Sequence, residues 1–458
     1  MVKNNKKKNG LTPKEYYTPE ISQKELEYRK YLETNPLPLP NPEQIEWLET
    51  EIGMFCHFGI NTFYNKEWSN GTLDISKFNP KKLNCEQWVK VAKDLGAGYM
   101  IVTGKHHDGF CNWPSKTTEY SIKNTPYKNG EGDIVKEFVD ACKKHHMKIG
   151  IYLSPWDRNQ ERFGCYKDEK AYDEYYCQQL TELLTWYDTD FFEIWFDGAG
   201  SEGHTYNWEK IVGVIKQHQP KALIFGMGDP TIRWVGNEYG YAPYPSWYVL
   251  NSRGGFGEME KIEITGVGLY LRESYGFGNR FIPPECDVPI RRFHWFFHTN
   301  DRLLLKPLKL LIDLYDKSVG RGCNLLLNLA PNRDGLIEKS DANRAKQLGA
   351  LIRDRYSAPI KETKGNQGEN SLEINLDSPT EINCIISQEE LSTGQRIREY
   401  ILQVWGENQW NTVYEGMAIG HKKIDHIKSV KTSKIRLTVI NSLLPPTIKH
   451  LAVFNIQK

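Results

Sequence analysis

Short apolar runs alternate with longer amphipathic stretches through the first three-quarters of the chain. EIGMFCHFGI (51–60), AGYMIVTGKHHDGF (97–110), IGIYLSPWD (149–157), FFEIWFDG (191–198), ALIFGMGD (222–229) and VGRGCNLLLNLAPN (319–332) are rich in β-forming residues and run into polar or glycine-containing turns. That is the pattern of strands covered on both faces. Between them, CEQWVKVAKDLG (85–96) places apolar residues at 88, 89, 91, 92 and 95 and stops at Gly96, as an amphipathic helix does. DIVKEFVDACKKHHMK (133–148) starts at a capping aspartate, Asp133, and 168–187 predicts a further helix. Such alternation implies a parallel sheet closed by right-handed crossovers. Polar residues follow nearly every strand, which favours a (β/α)8-like (TIM) barrel, α/β in class, whose loops form a ring at one end.

Beyond about residue 357 the pattern changes. SLEINL, EINCIISQ, REYILQVWG, WNTVYEGMAIG, KIRLTVI and HLAVFNI are short, β-branched and separated by turns, the signature of an all-β sandwich, jelly-roll-like in style. The division expected is a lead-in over 1–45, ending in the extended NPLPLPNP; a barrel over 46–356; and a C-terminal β-sandwich over 357–458.

Composition narrows the function classes. A net charge of +1 over 458 residues supplies no global field for nucleic acid or an acidic membrane. No stretch approaches the ~20 apolar residues of a membrane span. The lysine-rich start, MVKNNKKKNG, reads as disordered and leads into no apolar run of a signal peptide. A cytoplasmic location is therefore expected, or a secreted or periplasmic one if the N-terminus is trimmed. Nine cysteines without C-x-x-C spacing read as free thiols. Thirteen tryptophans and twenty-five tyrosines offer flat surfaces on which a sugar ring can stack.

Chemistry concentrates after the strands. Asp197 sits at the lip of FFEIWFDG, where α/β barrels hold catalytic groups. KHHDGF supplies Lys105, His106, His107 and Asp108; HFG supplies His57, with Glu67 and Trp68 on the loop beyond; IYLSPWD supplies Tyr152, Ser154 and Trp156. RWVGNE supplies Arg233, Trp234 and Glu238, and FIPPECDVPIR supplies Glu285 and Asp287. Adjacent histidines suggest a metal, but His106 and His107 point apart if the chain is extended and no helical or cysteine ligand pair accompanies them, so no metal is expected. No G-x-G-x-x-G follows the first strand, which argues against a nucleotide cofactor. Two carboxylates from different loops, in a pocket of histidine and tryptophan, suit glycoside hydrolysis.

In order, FCHFGINTFYNKEW, GYMIVTGKHHDGFCNWPSK, DIVKEFVDACKKHHMKIGIYLSPWD, FFEIWFDG, RWVGNE and SVGRGCNLLLNLAPNRDG resemble the α-L-fucosidases of glycoside hydrolase family 29 over residues 45–355. The resemblance implies a retaining exo-α-L-fucosidase on a (β/α) barrel, without metal or organic cofactor, acting on a fucosylated oligosaccharide or glycoconjugate. It implies Asp197 as nucleophile. His57, Glu67, Trp68, His106, His107 and Tyr152 match positions that hold the fucose, and Trp195 and Arg233 join them. For the acid/base the resemblance leaves Glu238 first and Glu285 second. PPECDVPIR resembles the subgroup acting on α-1,3/1,4-linked fucose. There S-I-R-P-G-W-F is the usual continuation, whereas this chain reads Pro289-Ile290-Arg291-Arg292-Phe293-His294-Trp295-Phe296; Trp295 is the pocket residue of that motif. The alternative reading is a fucose-binding, lectin-like protein on the same fold. A homo-oligomer is compatible with either.

Overall fold

A computed structural model describes residues 12–201, 203–250, 275–366 and 368–457. The lysine-rich start, which reads as disordered, lies outside the described residues. The barrel strands are β1 (Ile52–Cys56), β2 (Tyr99–Lys105), β3 (Lys148–Leu153), β4 (Phe191–Trp195), β5 (Leu223–Phe225), β6 (Arg233–Trp234), β7 (Pro284–Pro289) and β8 (Asn324–Asn328). They pair in parallel, β1 to β8 across one seam and β1 through to β5 across the other. A parallel bridge from Phe225 to Ile232 brings the end of β5 to the start of β6 and nearly closes the ring. Among the described residues, the longer helices that accompany these strands are α3 (Cys85–Leu95), α4 (Ile134–Lys144), α5 (Glu169–Trp186), α6 (Trp208–His218), α7 (Leu308–Ser318) and α8 (Lys339–Tyr356). No helix intervenes in the seven residues between β5 and β6.

Side-chain alternation sorts each strand into two layers. Met54, Cys56, Met100, Val102, Ile149, Ile151, Ile194 and Leu325 face the helices and share one core. Phe55, Tyr99, Ile101, Tyr152, Trp195, Leu223, Phe225 and Leu326 fill the bore. Gly53 is required by that filling, since a Cβ there would lie 2.3 Å from the Tyr99 ring. Register explains the top of the bore. Tyr152 pairs with Trp195, and Trp195 with Phe225, so the three rings stack across adjacent strands at 5.3 and 4.1 Å. They form a flat aromatic floor beneath the loops.

The N-terminal segment is more than an extended lead-in. Its proline run is extended, but α1 (Pro19–Leu32) and α2 (Pro42–Thr50) flank it, each capped by a side chain, Thr18 and Asn41, with proline at the first position. Glu25 of α1 pairs with buried Arg398. Trp47 of α2 is fully buried in the bore and donates to Glu193 on β4.

The C-terminal sandwich is built from β9 (Lys361–Lys364), β10 (Ser371–Glu389), β11 (Ile397–Gly406), β12 (Gln409–Met417), β13 (Lys423–Ser442) and β14 (Ile448–Phe454). The long strands β10 and β13 break register twice between Asn375 and Cys384, where bulges allow a strand to bend. β10 pairs with β13 from Ser371 to Ser387, and its end from Cys384 to Glu389 pairs on the other side with β14, while β13 pairs in turn with β11. Both pairings contribute to one apolar cluster, including Leu372, Ile374, Leu402, Leu451 and Val453. No described helix is long and apolar enough to cross a membrane.

Candidate active site

The strand ends open into a cavity of about 250 Å³. His57, Trp68, His106, His107, Trp195, Asp197, Glu238 and Trp295 line it, together with Phe196, Gly198, Ala199, Phe225, Trp234 and Asp287. All come from the barrel, and no described residue of the sandwich is among them.

Asp197 follows Trp195 by two residues and rises from the aromatic floor. Its Oδ2 accepts the Tyr152 hydroxyl at 2.9 Å and faces His107 Nε2 at 3.3 Å, while Oδ1 accepts the Ala199 N–H at 2.9 Å. Burial alone would raise its pKa. The opposing pull of His107, the Ala199 N–H and the Tyr152 hydroxyl outweighs burial and holds the carboxyl below its ordinary value. It is an ionised oxygen in a largely enclosed place.

Glu238 lines the same cavity from the loop after β6 and is shifted the opposite way. Burial pushes its carboxyl up, and the Asp197 charge adds to that; a hydrogen bond with the Trp295 side chain offsets it only in part. Two carboxyl groups of one cavity are thus driven apart, one toward the anion and one toward the acid.

The histidines do different work. His57 meets Asn328 Oδ1 through Nδ1 at 3.0 Å, and Asn328 in turn donates to the Trp295 carbonyl. An amide oxygen accepts, so Nδ1 carries the proton and Nε2 is an acceptor. Burial pushes the His57 pKa down to about 3, and that of His106 falls well below its ordinary value for the same reason, aided by the neighbouring imidazoles. Both are neutral hydrogen-bonding rings, and buried His106 Nδ1 has no partner among the described residues. His107 Nδ1 lies 2.7 Å from Ser154 Oγ, whose hydroxyl donates to the Trp156 carbonyl. The flanking charges of KHHD fasten the loop instead of reaching the cavity. Lys105 pairs with Asp157 at 3.0 Å with both side chains fully buried, and Asp108 accepts from Asn61 and the Phe110 N–H.

The loop is turned rather than extended, so His106 and His107 do not point apart. Their rings are 4.2 Å apart, and they gather with Asp197 so that one ligand-type atom from each lies within 4.8 Å of the others. Three such ligands would suffice for a catalytic zinc. Here, however, both His107 nitrogens are already engaged, with Ser154 and with the nucleophile-type oxygen of Asp197.

Four sequence-based expectations need relocation. Tyr152 supports Asp197 from beneath and does not line the cavity wall. Glu67 turns away, because its Oε2 accepts the Trp295 N–H at 2.7 Å and its Oε1 meets His298 Nε2 at 2.7 Å; burial raises its pKa to about 7. Arg233 is fully buried and donates to the Trp247 carbonyl at 2.8 Å, while Trp234, the next residue along the strand, takes the cavity side. Glu285 lies in the bore below the floor, accepting Tyr99 Oη–H at 2.5 Å and Trp195 Nε1–H at 3.0 Å. Trp195 therefore separates it from the cavity, and the nearby cation Arg291 pairs with Asp301 and Asp341.

Asp287 was flagged by its motif but given no role, and it does line the cavity. The period of two on β7 places it one step above Glu285. Burial, with the charges of Glu238, Glu285 and Asp197, pushes its pKa well above the ordinary value, and its buried Oδ1 has no partner among the described residues. Trp234, named with its RWVGNE segment but given no role, lines the cavity too, whereas Phe225 is hidden in the sequence because a lone aromatic near a strand end reads as core.

A parallel barrel with opposed carboxyl groups in an aromatic, histidine-rich cavity at its strand ends defines a glycoside hydrolase. The chain belongs to the α-L-fucosidase family: the family model described as Alpha-L-fucosidase matches residues 21–355. Alpha-L-fucosidase 1 of Arabidopsis thaliana is 36% identical, over 91% of this chain and 88% of that protein. A glycoside hydrolase 29 family member from an unknown rumen bacterium superposes with a TM-score of 0.82 at 35% identity, covering 93% of this chain and 78% of the other. A Ruminococcus gnavus GH29 fucosidase, solved with fucose as an aspartate-to-alanine mutant, gives 0.81 at 28% identity, covering 93% and 96%.

Proposed function

We propose that this α-L-fucosidase family member is a retaining exo-enzyme that removes terminal α-1,3/1,4-linked fucose from glycans in two steps. Asp197 attacks the anomeric carbon while Glu238 gives its proton to the leaving oxygen. Glu238, now a carboxylate, takes a proton from water, which attacks C1 and releases fucose with Asp197 regenerated. The observation carrying this reading is the opposed environment of the two carboxyl groups within one cavity. His57 and His106, neutral and hydrogen-bonding, suit sugar hydroxyls, and Trp68, half exposed at the rim, suits the apolar face of the ring. The capture of fucose by the Ruminococcus relative supports the same sugar here. A lectin-like role is not favoured, since a binding site has no use for a carboxyl group poised as an acid.

Two substitutions test the assignment. Glu238→Ala should retain activity on aryl fucosides with good leaving groups and lose at least 100-fold on fucosylated glycans. Equal losses on both, or this pattern from Glu285→Ala instead, would remove Glu238 from the role. A panel of α-1,2, α-1,3, α-1,4 and α-1,6 fucosides tests the linkage.

A further inference from the structure

The aromatic floor of the cavity rests on a carboxyl group that the chemistry above does not use. We propose that Glu285 is a positioning residue for the reaction: by accepting the Trp195 indole N–H it fixes the direction of the floor ring beneath Asp197. The proposal rests on the fucosidase reading above, which supplies its assay.

Glu285 is fully buried in the bore and comes from β7. Its Oε1 accepts Trp195 Nε1–H at 3.0 Å, and its Oε2 accepts the Tyr99 hydroxyl at 2.5 Å. One carboxyl group thus links β4 to β2 across the bore. The ring neighbours of Trp195 are Phe225, stacked at 4.1 Å, Tyr152, stacked at 5.3 Å, and Phe55, edge-on at 5.4 Å. Stacking sets the plane of a ring, but an apolar face does not read which way the indole lies within that plane. The single N–H does. Turned over, the indole would leave its donor against carbon, with a buried hydrogen bond unmade. Glu285 therefore selects one of two flat orientations.

The choice reaches the chemistry by two short routes. Trp195 itself lines the cavity, and Asp197 follows two residues later. Tyr152, stacked on the same ring, donates its hydroxyl to Asp197 Oδ2. A carboxylate is a costly way to fill a bore, since an apolar side chain of similar volume packs there as well or better. A second carboxyl group shares the bore: Glu193 accepts Trp47 Nε1–H at 3.1 Å. Burial, and then the Glu285 charge, push Glu193 well above its ordinary value. Burial raises Glu285 only to about 7, because the Tyr99 and Trp195 hydrogen bonds pull it back. Of the two, Glu193 holds the proton and Glu285 is left as the stronger acceptor for the floor ring.

Two substitutions separate this role from that of a general acid and from simple packing. Glu285→Leu removes the acceptor at similar volume, and Glu285→Gln keeps an acceptor oxygen. Both are compared with the parent on an aryl α-L-fucoside and on a fucosylated glycan, well below the melting temperature of the least stable variant. Glu285→Leu should lose about ten- to a hundredfold in kcat/KM on both substrates alike, and Glu285→Gln should stay within about threefold of the parent. In a Trp195→Phe background, which keeps a stacking ring without the N–H, Glu285→Leu should cost less than about threefold further. A loss confined to the glycan, Glu285→Leu kinetics like the parent's, equal losses in Glu285→Gln and Glu285→Leu, or the full loss repeated in the Trp195→Phe background would each overturn the positioning role and leave the fucosidase reading intact. Should Glu285→Leu not fold, Trp195→Phe alone breaks the same bond from the other side, and parent-like kinetics there would overturn the role. A parent inactive on every fucoside would overturn the fucosidase reading and the role with it.

Discussion

Replacing Tyr152 by Phe tests how the fold keeps Asp197 ionised. The hydroxyl donates to Asp197 Oδ2 at 2.9 Å, and a hydrogen bond to a charged group contributes about 1.5–3 kcal/mol. Its loss should therefore raise the Asp197 pKa. Asp197 must be unprotonated to attack, so activity is lost as pH falls through its pKa, and a higher pKa moves that acid limb to higher pH. The ring itself stays packed between His106 at 5.5 Å and Trp195 at 5.3 Å, and Asp197 keeps His107 and the Ala199 N–H. Because Asp197 is ionised in both the folded and the unfolded chain at neutral pH, losing the bond should also lower stability there by up to about 1.5–3 kcal/mol. The assay is kcat/KM for an aryl fucoside across pH, which reports the free enzyme, alongside a thermal melt. An acid limb that stays in place, or moves to lower pH, would refute the reasoning.

Asp287→Asn keeps a neutral, hydrogen-bonding side chain where burial and neighbouring carboxylates already hold the acid protonated; it should cost less than about tenfold in kcat/KM near neutral pH, and Asp287→Ala clearly more. Dialysis against a chelator should leave kcat/KM unchanged, since His107 is engaged by Ser154 and Asp197; activity restored only by added metal would reassign the His106–His107–Asp197 cluster. Arg291→Ala strands two buried carboxylates, Asp301 and Asp341, and should destabilise the protein by about 3–5 kcal/mol in denaturant titrations.

Strands whose apolar runs stand between amphipathic helices were legible from the sequence, β1 to β5 and β8 among them, as were the helices with clear caps. β6 and β7 were not. Arg233–Trp234 is two residues long, and β7 begins and ends in proline, residues that argue against an interior strand. The lead-in hid α1, whose apolar positions are few and whose role is to carry Glu25 to Arg398. At the site, residues directly after a strand were found because loops at strand ends carry the chemistry. Orientation was harder. Glu67, Arg233 and Glu285 belong to the right segments but face a neighbouring loop, a buried carbonyl and the bore, respectively. Strand alternation could have separated Arg233 from Trp234, and Glu285 from Asp287 by depth, only once β6 and β7 were known. The turn that aims His106 and His107 into one cavity depends on Lys105, Asp108 and Asp157, a tertiary arrangement that no local pattern displays.

The identity of the attacking group is most directly read by trapping the intermediate. A 2-deoxy-2-fluoro-fucosyl fluoride slows the second step, so the enzyme should accumulate a single covalent fucosyl adduct, and peptide mass mapping should place it on Asp197. A label on Glu238 or any other carboxylate, or turnover of an α-fucoside with β-fucose as the first-formed product and no adduct, would contradict it.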